Sequence, residues 1–166
     1  MTVFLDKTGV ALGVISIRQQ IVDAIAVRMG QIVKGQVFDL PDGPYTCENT
    51  IKGVYPWRKT PFNKAELPAI ELWDNSADTN PGPASRHEHH LPIGLQVCVS
   101  GQTSASVARS YMADIVAAIG SDPRWGGLAF WTELTGHGLA MEQAGDIVAA
   151  AQIGFTVQYR TPLWRM

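Results

Sequence analysis

Leu91-Pro92-Ile93-Gly94-Leu95-Gln96-Val97-Cys98-Val99 is the stretch from which the fold can be read. Leu91, Ile93, Leu95, Val97 and Val99 alternate with Pro92, Gly94, Gln96 and Cys98. Successive side chains of an extended chain point to opposite faces, so this alternation predicts a strand with one face on a core. The run is too short, and too broken by Pro92, Gly94 and Gln96, to cross a bilayer as a helix.

Working outward from that strand, residues 103–119 carry Val107, Tyr111, Ile115 and Ile119 every fourth position, which predicts a helix. Thr103 or Ser104 can cap its start, and Gly120 with Ser121-Asp122-Pro123 stops it. A first helix is predicted over 16–31 from Ile17, Ile21, Ala24, Ile25 and Ile32, with Ser16 as its cap and Gly30 or Gly35 as its stop. Residues 34–49 read as a long loop with a turn at Pro41-Asp42-Gly43-Pro44. Residues 50–58 then read as a strand with Ile51, Gly53, Tyr55 and Trp57 on one side, and 68–74 as another, Ile70 and Leu72 against Glu71 and Trp73. The polar run 75–86 reads as a mobile loop. In the last third, strands are expected over 128–135, 139–143 and 147–161, with Gly136-His137-Gly138 as a turn or bulge and Gly145-Asp146 as a hairpin turn. Segregated runs of this kind predict a single α+β domain, residues 1–166, whose mostly antiparallel sheet carries both helices on one face.

The 166 residues are 46% hydrophobic and 17% charged, with a net charge of -2, a globular composition. Thirteen Lys and Arg against fifteen Asp and Glu give no electrostatic reason to expect sequence-specific nucleic-acid binding. Residues 1–14 do not read as a signal peptide, and no membrane association is expected. Cys47 and Cys98 read as free thiols rather than a bridge, Cys98 behaving as a small hydrophobe in its strand.

The most conspicuous polar cluster is His87-Glu88-His89-His90, whose imidazoles and carboxylate are ligand types for zinc. In an extended strand His87 and His89 share one face, Glu88 and His90 the other, so the spacing favours solvated histidines over a metal site. Ser104 and Ser106 lack a nucleophile-elbow context, and Gly136-His137-Gly138 and Trp125-Gly126-Gly127 match no phosphate-binding fingerprint. No cofactor is expected. Trp57, Trp73, Trp125, Trp131 and Trp164 divide between core packing and anchoring of subunit contacts. Arg58, Lys59 and Lys64 surround one loop, while Glu71, Asp74 and Asp78 cluster near the next. With Trp57 these are the candidate interface residues, since oppositely charged loops suit a head-to-tail contact that closes into a ring; ordinary surface charge is the alternative reading.

The layout resembles the tail terminator (tail-completion) family of tailed phages. The likeness is carried by the helix over 16–31, the Gly53-Val54-Tyr55-Pro56-Trp57 strand, the alternating strand 91–99 and the helix over 103–119. The closing Ile153-Gly154-Phe155-Thr156-Val157-Gln158-Tyr159-Arg160-Thr161 completes it. The resemblance implies a non-enzymatic structural subunit, made in the bacterial host cytoplasm and built into the virion tail. Such subunits form a hexameric ring that caps the tail tube, ends its polymerisation and offers a surface to the head–tail connector or neck protein. The family has no catalytic residues to carry over. Against smaller members, this chain differs in its longer segments 34–49 and 75–86. The alternatives are another phage neck or head–tail joining protein, and a small metal-dependent enzyme using the His87 to His90 cluster.

Overall fold

The computed structural model describes residues 4–5, 11–12, 15–101, 104–144 and 146–165. Two short strands, β1 (Phe4–Leu5) and β2 (Ala11–Leu12), pair antiparallel ahead of helix α1 (Ile17–Gly30). Ser16 caps α1 as its sequence predicts, its Oγ accepting from the Gln19 amide at 3.1 Å. Ile21, Val22, Ile25 and Met29 form the buried stripe of α1. Arg28, in the last turn, donates to the Ser121 hydroxyl at 2.6 Å and so ties this helix to the end of the second.

Residues 34–49 are not an irregular loop. They hold a small hairpin of β3 (Val37–Leu40) and β4 (Gly43–Thr46), joined at Pro41-Asp42. The turn was legible; the strands were not, because only Phe38 of these eight positions is buried and a period of two has nothing to show. Strand β5 (Gly53–Pro56) is shorter than the predicted 50–58 and splits the residues expected on one side. Ile51 precedes it and joins the main core, Tyr55 packs into a second cluster with Leu67, Ala69 and Cys98, and Trp57 turns away in a left-handed conformation at φ 49°.

After a short 3-10 turn at Lys64–Glu66 come β6 (Ala69–Asp74), β7 (Asp78–Gly82) and the long β8 (Arg86–Ser100). Here the expected mobile loop at 75–86 is corrected: five of its residues form β7, which pairs with the start of β8 from Asp78↔His90 to Gly82↔Arg86. Every β7 side chain but Gly82 is exposed, so its pairing rests on backbone hydrogen bonds that leave no hydrophobic pattern. Pro81 is tolerated because β7 lies at a margin of the sheet.

Helix α2 (Ser104–Gly120) follows within a residue of its predicted span, with Thr103 outside the described residues. The chain closes with β9 (Trp131–Ala144) and β10 (Asp146–Pro162); the expected turn residue Gly145 also lies outside them. β9 is one strand, not two. A bulge at Thr135 shifts the register, with Leu134 opposite Phe155 but Gly136 opposite Gly154. The order across the main sheet is β5-β6-β8-β10-β9, parallel between β5 and β6 and antiparallel elsewhere, with β7 beside β8.

Both helices pack on one face of this sheet, the α+β arrangement that the sequence predicts. Leu91, Ile93, Leu95, Val97 and Val99 of β8 meet Ala151, Ile153, Phe155 and Val157 of β10 beneath α1 and α2, all at most 3% exposed. Each fully buried Leu, Ile or Phe here contributes on the order of 1.5–3 kcal/mol. Within α2, the wholly buried Asp114 carboxylate has no cation among its bonded partners in the described residues. It accepts from the Tyr45 hydroxyl (2.9 Å), the Glu48 and Asn49 amides (3.2 and 3.0 Å) and the Asn49 side chain (2.8 Å), which fastens residues 45–49 to the helix.

Candidate interface surface

The face of the sheet away from the helices carries Glu71, Gln96, Gln152, Thr156, Gln158, Glu88 and Arg160 by strand alternation. It is a polar ladder. Gln152 donates to Gln96 at 2.9 Å, and Arg160 donates twice to Glu88 at 3.1 and 3.0 Å while its guanidinium sits 4.3 Å from the Phe130 ring centroid. The hydrogen bonds from Arg160, then His90, hold the Glu88 carboxyl below its ordinary range.

At the β5 margin, residues 57–66 fold over this same face. Asn63 and Glu66 form a capping box, and Arg58 stands at the centre. Arg58 donates to both carboxylate oxygens of Glu66 and to the carbonyls of Thr60 and Pro61, and lies over the rings of Tyr55 and Phe62. The Arg58 hydrogen bonds, with that from the Asn63 amide, hold the Glu66 carboxyl below its ordinary range. Between this loop and the sheet lies a groove of about 250 Å³ lined by Thr60, Pro61, Phe62, Glu71, Gln96 and the buried Cys98. Burial pushes the Cys98 thiol up from its ordinary range.

The structure divides the candidate interface residues. Trp57 and Asp74, expected in separate strands, meet: the indole Nε1 donates to Asp74 Oδ1 at 2.6 Å, and Asp74 also takes the Arg18 guanidinium from α1. Arg58 is half-buried and committed to Glu66, a partner that spacing did not reveal. Lys59 and Lys64 are exposed on the loop, Glu71 is half-buried at the groove, and Asp78 is exposed opposite His90 at the start of β7.

The histidine cluster is split by the pleat. His90 shares the polar face with Glu88, 3.3 Å away, whereas His87 and His89 lie on the helix-side face. The expectation of solvated histidines fails at His89, which is 2% exposed. Its Nδ1 lies 3.0 Å from the Thr79 hydroxyl and its Nε2 2.8 Å from that of Thr161, and its ring stacks on Tyr159 at 4.7 Å. Burial, and then the charge of His87, lowers the pKa of His89, favouring the neutral ring. Among the described residues no three His, Cys, Asp or Glu side chains are grouped so as to hold a metal ion.

Sequence reading missed the opposite margin. β9 has β10 on one side and, among the described residues, no strand on the other. From Glu133 to Ala140 every residue is exposed, on both faces. The bulge places Leu134 and Leu139, five apart, on the same helix-side face, where an unbroken alternation would separate them; Trp131 and Glu133 lie on the polar face. Comparison with models of known protein families found no match, and comparison with curated protein sequences found none.

Proposed function

We propose that this chain is a structural, ring-forming subunit of a phage tail that caps the tail tube, ends its polymerisation and presents a surface for head or neck joining. The phage assignment rests on the element order: α1, the β5 strand, the long β8, α2 and the closing β10 stand in the sequence that carries the family resemblance. The observation that carries the assembly role is β9. A long outermost strand with Trp131 51%, Leu134 46% and Leu139 39% exposed is a surface that isolated proteins usually shorten, charge or cover. Covering by another subunit accounts for it. In this reading the Trp57 indole, the Lys59 and Lys64 ammonium groups and the Glu71, Asp74 and Asp78 carboxylates belong to the surfaces that meet neighbours or the tube.

The test is to size the purified protein alone and with tail tube protein, and to measure tail lengths in lysates of a phage lacking the gene. The reading expects closed rings and, without the protein, tails of uncontrolled length that fail to join heads. Normal tail length and head joining after deletion would overturn it.

A further inference from the structure

The geometry points to a head-to-tail contact in which the β9 margin of one copy docks on the β5 margin and the 57–66 loop of the next, so that the sheet continues from subunit to subunit. This inference rests on the ring-forming role proposed above and names the surfaces that make the ring. β5 and β9 are the two ends of the same sheet, and among the described residues neither has a strand on its outer side. Their charges are opposite. The sequence of β9 holds two carboxylates, Glu133 and Glu142, and neither Lys nor Arg. The β5 margin holds four cations, Lys52, Arg58, Lys59 and Lys64, against two carboxylates, Glu66, which is bonded to Arg58, and Glu71 in the groove.

The faces also agree. Glu133 and Trp131 lie on the polar face of β9, and the 57–66 loop covers the polar face at β5, as its packing of Phe62 on Tyr55 at 5.4 Å requires. A sheet continued across the contact therefore brings the carboxylate of one copy and the ammonium groups of the next to the same side. A two-fold pairing of β9 with β9 would instead set two acidic strands together, where like charges repel. The occupant of the β9 margin is a second copy of this chain, joined heterologously, the geometry that closes into rings.

Two double variants test the contact. K59E/K64E makes both margins acidic, and E133K/E142K makes both basic. Each alone is expected to weaken assembly roughly tenfold or more, read by analytical ultracentrifugation, with unchanged thermal unfolding of the subunit. Mixed in equal amounts, they are expected to assemble again, alternating around the ring. Wild-type assembly by K59E/K64E alone would overturn the head-to-tail contact, and so would a mixture that stays dissociated; rings of wild-type protein would leave the proposed function standing. A wild type that remains monomeric, alone and on tail tubes, would overturn both.

Discussion

Arg58 holds the carboxylate of Glu66, eight residues on, through two hydrogen bonds of 2.9 Å each. With both carboxylate oxygens engaged and two rings beneath the guanidinium, the loop between them is a closed unit rather than a free polar tether. Reversing the charge at Arg58 would therefore open the loop before it altered any contact with a neighbour.

Arg58→Ala is accordingly expected to speed tryptic cleavage after Lys59 several-fold, as local opening becomes easier. Timed digestion followed by mass spectrometry checks it; cleavage at the wild-type rate would mean that the loop is held by other means. Because the Glu66 carboxyl is held below its ordinary value, the contribution of this pair is complete above the carboxylate range and is lost as pH falls through it. The wild-type loop should become equally labile under acid conditions, as acid-active pepsin would report.

Asp114→Ala is expected to cost about 3 kcal/mol or more, since it strips the acceptor from several buried or half-buried donors at once. Asp114→Asn, which keeps one acceptor oxygen, should cost less. Urea unfolding measures both. Burial, reinforced by the Asp114 charge, pushes the Cys47 thiol up to about 11, so thiol labelling at Cys47 should be slow in wild type and fast in Asp114→Ala.

Gly94 has no room for a methyl group: a Cβ there would run into the Trp73 ring. Gly94→Ala should cost about 1–3 kcal/mol by overpacking and displace the Trp73 indole, seen as a shift in tryptophan emission. Unchanged stability and emission would place Trp73 elsewhere.

His89 sets a pH dependence of its own. Its pKa is lowered from the ordinary 6.5 on folding, so the unfolded chain binds the extra proton first. The stability it confers is full above 6.5 and is lost as pH falls through and below that value. Urea midpoints measured at pH 7.5 and pH 5 should fall less steeply in His89→Gln than in wild type, although the variant starts lower because it loses the stacking on Tyr159.

Much of this architecture was legible in the chain. Ser16 and Gly30 bound α1, and the Leu91 to Val99 alternation appears as the buried face of β8, because packing on a core imprints its period on the residues. β7 left no such imprint, since its residues are exposed and its pairing with β8 rests on backbone hydrogen bonds and one polar contact, Thr79 to His89. Gly136-His137-Gly138 reads as an interruption because the bulge at Thr135 reverses the alternation of β9 around it. Of the interface surface, the charged residues of the 57–66 loop could be named, but not their internal partner Glu66 nor the exposed β9 margin. Both depend on which strands lie outermost, and a local pattern does not carry that.

The bulge has one more effect, on sliding. A long hairpin whose strands alternate without interruption can slip by two residues and keep every side chain on its proper face. β9 and β10 cannot do so at no cost. The Thr135 side chain occupies space left by the missing side chain of Gly154, where a Cβ would lie only 3.1 Å from its Oγ1. Any slip would carry that extra residue opposite a position with a side chain, so the hairpin has one register in which it can close.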